Sequence, residues 1–411
     1  MNQNRQTKFL NRISKLSVLL MTIAYFAFDD VTWLKNITTM FFLLMSVVSA
    51  GSFVFKRKTA VSIYLTWGLI WIAICYLSTL WSVKPKSTLQ YSGMTLQCIL
   101  IGIGYVLMDS KLDIRNFLLF AVTAAGVTLM VRLAIVTPSN AWGTERLGTN
   151  IGIHVNGIAG SLLIAELCAM MRYMETRRRL YLLSVIAMLG FIFLCASRKA
   201  LVMGTIVPVL IYMLYVHAEG KANVKRLARY FLGALGVIII AVIIMRTPLI
   251  YNIAQERMEG FINSITGKGE VDASTLERQE LGMAAMKVFY EHPVYGVGLN
   301  GFRFASRAYY RGRQLYAHNN YKELLADLGV IGTTIYYYIY AVIVFINVRL
   351  FKKVFEAKVL LLLAVMMLIL DYGWVSYALS DVQLLLVFVL ARTVRIRNEL
   401  QGIETTGGKE Q

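Results

Sequence analysis

The sequence predicts an all-α polytopic membrane protein of about twelve transmembrane helices, with both termini in the cytoplasm. Three observations predict it. The 411 residues are 57% hydrophobic and only 16% charged, with a mean hydropathy of +0.60, a balance foreign to soluble domains of this length. Apolar runs recur along the chain, each about long enough to cross a hydrocarbon layer. Basic residues fall in alternate connections: segments 1–15, 56–58, 109–116, 172–179, 218–229, 349–358 and 392–411 hold 25 of the 42 Lys/Arg. The positive-inside rule places those segments in the cytoplasm. The net charge of +19 is largely this topology signal and calls for no nucleic acid.

In chain order the expected spans are 16–34, 37–55, 60–81, 89–108, 115–136, 153–171, 180–196, 199–216, 230–246, 321–348, 357–372 and 374–391. The first lacks a small-x-small cleavage site and is followed by further spans, so it is not a cleaved signal peptide. The basic runs at Lys56 and Arg177 read as inner-face anchors on anionic lipid. Cys75, Cys98, Cys168 and Cys195 all fall within apolar runs, without metal-ligand spacing, and read as small core residues. Charged residues in or near spans are Arg132, Glu145, Glu166, Asp371 and Asp381. Internal pairing is the expectation for Glu166; Asp371 and Asp381 lie near the outer face, as candidates for orienting an acceptor or steadying arginines. The organisation is therefore nine spans in 1–246, an outer loop at 247–318, three spans in 319–391 and a cytoplasmic tail at 392–411.

The outer loop breaks the rhythm, and structureless loops of that length are uncommon and usually functional. It opens on a polar, glycine-punctuated stretch. "STLERQELGMAAMKVFYEHP" then reads as a helix with Ser274 and Glu277 as a capping box, an apolar face at Leu281, Ala284, Ala285, Val288 and Phe289, and Pro293 as its stop. Gly296, Gly298 and Gly301 match the spacing of a dinucleotide-binding loop, but they follow a helix and not a strand, so a tight turn is expected instead. Arg303, Arg307 and Arg311 recur every four residues among aromatics. They form either a face resting on lipid headgroups or a landing surface for a phosphate-bearing substrate, since guanidinium forks match phosphate oxygens. In "AHNNYKELLADLGVIGTT", Asn319 is the expected helix cap. His318, Lys322, Leu325, Gly329 and Gly332 would share one helical face, with the glycines admitting another helix.

The stretch His318–Gly332 matches the pattern H-[NSQ]-x9-G-x-x-[GTY]. It resembles the O-antigen ligase and polysaccharide polymerase superfamily. "CASRKALVMG" at Cys195 looks like that family's S-R-x-A element, and "LERQELGMAAMKVFYEHPVYGVGLNGF" like its R-x-x-x…P-x-x-G-x-G-x-x-x-F element; "LSTLWSVKPKST" at Leu77 is a weaker likeness. The resemblance implies a metal-independent glycosyltransferase of the inner membrane, without cofactor. Its donor is a glycan on undecaprenyl pyrophosphate and its acceptor a hydroxyl on a glycan or lipid at the outer face. By residue, Arg198 and Arg278 match the family's arginines and are assigned to pyrophosphate; His318 matches its histidine, as general base or as pyrophosphate contact. Arg303, Arg307, Lys199, Asn319, Lys322 and Asp381 are candidate substrate-binding residues. A repeat-unit polymerase with a chain-length regulator as partner, a ligase onto lipid A core, and a transporter without chemistry are the alternatives. The absence of repeated halves with matching interrupted spans disfavours the last.

Overall fold

The computed structural model describes residues 2–51, 59–139, 146–149, 153–218, 273–310 and 312–402. The basic run at 56–58, Glu145, the expected span 230–246, the loop opening 247–272 and Arg311 lie outside the described residues. Among those described, every regular element is helical: α1 (Asn2–Ala27), α2 (Thr32–Ala50), α3 (Ala60–Leu77), α4 (Pro85–Leu112), α5 (Arg115–Val136), α6 (Val155–Thr176), α7 (Arg179–Leu194), α8 (Arg198–Ala218), α9 (Ala273–Glu291), α10 (Phe302–Tyr309), α11 (Asn320–Leu350), α12 (Phe355–Asp371) and α13 (Ser380–Leu400). Among the described residues, eight segments are long and apolar enough to cross a membrane: Lys8–Ala27, Thr32–Ala50, Ala60–Leu80, Pro85–Leu112, Arg115–Val136, Val155–Thr176, Arg198–Ala218 and Asn320–Leu350. Several boundaries differ from expectation: α2 begins at Thr32 and α13 at Ser380, where spans from 37 and 374 were expected, and two others have a visible cause. The first span stops at Ala27, because Asp29 and Asp30 turn the chain. The last helix runs to Leu400, where a free tail was expected past 391, because its basic residues are held: Arg392 is bidentate on Glu356 at 3.0 and 2.9 Å, and Arg395 bonds the Asp109 carbonyl at 3.0 Å.

The chain folds as two compact units, each discontinuous in sequence: Met1–Met45 with Asp113–Asp272, and Ser46–Leu112 with Ala273–Gln411. In the first, α6 is packed by α5, α7 and α8. Small residues allow this closeness: a Cβ on Gly126 of α5 would lie 2.4 Å from the Ala165 Cβ, and one on Gly204 of α8 would lie 2.7 Å from the Glu166 carboxylate. Glu166 is fully buried, and neither carboxylate oxygen finds a partner among the described residues, so the expected internal pair is not seen there. Arg132 does pair: it is bidentate on Asp30 at 2.7 and 2.8 Å and also donates to the Ala27 carbonyl at 2.6 Å, tying α5 to the turn after α1. The Arg132 hydrogen bond holds the Asp30 carboxyl below its usual range. Arg132→Ala is therefore expected to lower stability by about 1–2 kcal/mol at neutral pH. A depressed carboxyl stabilises above its unfolded pKa and stops doing so as pH falls through the folded value. The gap between wild type and variant in thermal unfolding should thus close below about pH 4.

In the second unit α11 is central, packed by α3, α9, α12 and α13. Trp67 donates to the Ile335 carbonyl at 2.8 Å, and Trp71 packs on Tyr336. Asp371, at the end of α12, is a hub: it accepts from Tyr337 at 2.8 Å, Asn320 at 3.2 Å and Ser376 at 2.5 Å. These structural partners hold its carboxylate and anchor the first turn of α11.

Candidate functional site

Three stretches far apart in sequence interlock in the second unit. The turn after α9 lies along α11: Val297 N–H donates to Ala326 O at 3.0 Å, Gly298 N–H to Asp327 O at 2.8 Å, and Val330 N–H to Pro293 O at 2.9 Å. The Asp327 carboxylate takes the Asn300 and Phe302 N–H groups, both at 2.7 Å, and so holds the entry to α10. From the other side, Ser78 accepts Leu299 N–H at 3.1 Å, Thr88 donates to Leu299 O at 2.8 Å, and Val83 N–H donates to Val297 O at 3.1 Å. Glycine is required at the closest points. Gly298 has φ +91° and a Cβ would lie 2.4 Å from that of Ser82; Gly329 has φ +62°, and a Cβ would lie 2.3 Å from Val294 O. The turn expected at Gly296–Gly301 is present. The expected shared helical face is not. His318 precedes the helix, and Gly329 breaks α11 with φ 62° and ψ −163°. Gly329 admits the Pro293–Val294 backbone instead of a helix, and a Cβ on Gly332 would meet its own helix's Leu328 side chain at 2.2 Å.

This clamp places the segment before α11. His318 takes a left-handed φ of +53°, uncommon for a residue with a side chain. Devices on both sides hold it. Asn319 caps α11 as expected, accepting Lys322 N–H at 3.1 Å, and Ala317 N–H donates to the buried carboxylate of Glu323. The Tyr316 ring packs on the His318 imidazole, centroids 3.9 Å apart. Burial holds the Tyr316 phenol above the usual tyrosine range; the charges of Arg278 on α9 and Arg303 on α10 pull it down, while Glu323 and Tyr91 push it up. Charges from α9, α10 and α11 thus converge on one half-buried phenol beside the histidine.

A family model described as O-Antigen ligase matches residues 157–337, a stretch that includes Arg198, Arg278, the glycine turn and His318–Gly332. Residues 157–337 belong to the O-antigen ligase/polymerase superfamily. Curated proteins give no match. With its apolar helices, this chain is a multi-pass membrane protein, and the segment that matches the O-antigen ligase model is of a family that works in polysaccharide or lipopolysaccharide biosynthesis.

Within the segment matched by the O-antigen ligase model, the charges of Arg278 and Arg303 reach Tyr316, whose ring packs on His318. Lys322 lies over α9, where a Cβ on Gly282 would be 2.9 Å from its Nζ. Arg307 is exposed one turn beyond Arg303, and α10 ends at Tyr309, short of Arg311. Asp381 opens α13 and accepts the Val382 N–H at 2.8 Å. Arg198 and Lys199 belong to the first unit, where they open α8; there Arg146 donates to the Cys195 carbonyl at 3.0 Å and to Asn156 at 2.9 Å. Ser274 lies in the first turn of α9, and Glu277 accepts from Tyr310 at 3.2 Å and Arg313 at 3.1 Å. Sequence reasoning missed Glu323 and Asp327, both fully buried in α11. Their signal was there to be read: acidic residues inside an apolar run are expensive and need a purpose.

Proposed function

We propose that this protein transfers a glycan from undecaprenyl pyrophosphate to an acceptor hydroxyl on the outer face of the bacterial inner membrane, as a repeat-unit polymerase. What carries the reading is His318, held in a left-handed turn beside a phenol that feels both Arg278 and Arg303, inside an O-antigen ligase domain. About twelve spans with cytoplasmic termini, and an outer loop at 247–318, would put this site on the side where lipid-linked glycan is displayed. The acceptor oxygen attacks the anomeric carbon, its proton passes to His318, and the bond from that carbon to the pyrophosphate oxygen breaks. Arg278 and Arg198 stabilise the charge gathering on the leaving pyrophosphate without a metal. Arg303, Arg307, Lys199 and Lys322 draw the anionic donor in; Asn319 fixes the histidine's turn, and Asp381 orients the acceptor. A chain-length regulator is a fitting partner. The polymerase reading is supported by an outer loop short for housing a bulky fixed acceptor.

Transfer by purified protein supplied with lipid-linked donor tests this. A ladder growing by repeat units supports a polymerase, and one addition onto lipid A core a ligase. A base must be neutral to take the proton, so wild-type turnover should fall as pH drops from 8.5 to 5.5. Neither His318→Asn nor His318→Arg should then work. Substantial, pH-independent activity in His318→Arg would move His318 to the pyrophosphate-binding cations.

A further inference from the structure

Tyr316 has no part in the transfer steps above, yet it occupies their centre. Its ring lies against the His318 imidazole at 3.9 Å between centroids. Other tyrosine hydroxyls of the unit are committed to structural bonds, Tyr310 O–H to Glu277, Tyr309 O–H to Glu291 and Tyr337 O–H to Asp371, and one oxygen of the Glu323 carboxylate takes the Ala317 N–H. The Tyr316 hydroxyl is in none of these. Its side chain is only partly buried.

We propose that Tyr316 is a donor-binding residue, its O–H donating to a non-bridging oxygen of the diphosphate held by Arg278 and Arg303 while its ring sets the plane of the His318 imidazole. This rests on the glycan-transfer reading of His318. Two guanidinium groups beside a hydroxyl form a donor set for an anion with many acceptor oxygens, and a diphosphate ester offers more of them than a carboxylate does. Burial keeps the phenol protonated at neutral pH, so it remains a donor there. The same side chain touches the imidazole, which links donor occupancy to the position of the group that takes the proton.

The test uses the full-length protein in detergent and three probes: undecaprenyl pyrophosphate, inorganic pyrophosphate and phosphatidylglycerol. Tyr316→Phe keeps the ring and removes the O–H. It should weaken binding of both diphosphates about ten- to a hundredfold, the loss of one hydrogen bond to a charged group, and leave phosphatidylglycerol binding unchanged. Tyr316→Leu should weaken diphosphate binding equally and also lower turnover at saturating donor, since the imidazole loses its support. Tyr316→Phe with wild-type affinity for both diphosphates overturns the proposal, as does an equal loss for phosphatidylglycerol, which would mark a general headgroup contact. His318→Asn is assayed in parallel. If it turns over normally, the glycan-transfer reading fails, while the binding measurements still decide the role of Tyr316.

Discussion

Gly329→Ala is expected to cost the second unit about 3 kcal/mol or more and to remove activity with it. Two effects add. The backbone at φ 62°, ψ −163° lies in a region essentially reserved for glycine. The new Cβ would also lie 2.3 Å from Val294 O and 2.7 Å from Pro293 O, which are backbone atoms unable to swing aside. Val330 N–H holds Pro293 O at 2.9 Å, so relief of the clash breaks the clamp that positions α10 and the His318 turn. Gly312 is the matched control: its φ is +69°, and a Cβ there would meet nothing within 4 Å. Gly312→Ala should therefore cost only the backbone part, about 1 kcal/mol. Thermal unfolding of the two variants separates the terms. Equal melting temperatures would mean that the interlock of the glycine turn with α11 does not hold the unit together.

Arg278→Ala is expected to reduce glycan transfer about a hundredfold or more while the protein still accumulates in the membrane. Arg278 sits partly buried on α9, with its charge reaching the phenol that packs on His318. A cation fixed where a leaving pyrophosphate gathers charge acts in the transition state more than on the bound donor, so the loss should appear mainly in turnover and less in KM. Arg278→Lys restores the charge without the fork and should recover part of the rate. Arg307→Ala, on the exposed part of α10, serves as comparison and should change donor KM by only a fewfold. An Arg278→Ala protein with normal turnover would take Arg278 out of the transfer chemistry.

Much of this protein is legible in its sequence. Apolar run length and the alternation of Lys/Arg depend on one solvent boundary, water against hydrocarbon, and need no knowledge of which helix meets which. The Asn319 cap and the tight turn after Pro293 are likewise local: a side-chain oxygen three residues from an N–H, and glycines where φ must be positive. The spacing from His318 to Gly332 singled out the residues to look at without saying why the spacing exists. That reason is tertiary. Gly329 is glycine because the Pro293–Val294 backbone crosses it, and Asp327 is acidic because two N–H groups of a turn some 25 residues earlier in the chain point at it. The same holds for Ser78 and Thr88, whose hydroxyls meet Leu299 across more than 200 residues. Tyr316 passed as one more interleaved aromatic until the fold set its ring on the imidazole. Periodicity reports which side of a helix avoids water. It does not report which polar atom answers another across the unit, because that pairing is decided by packing, and packing is what only the tertiary structure supplies.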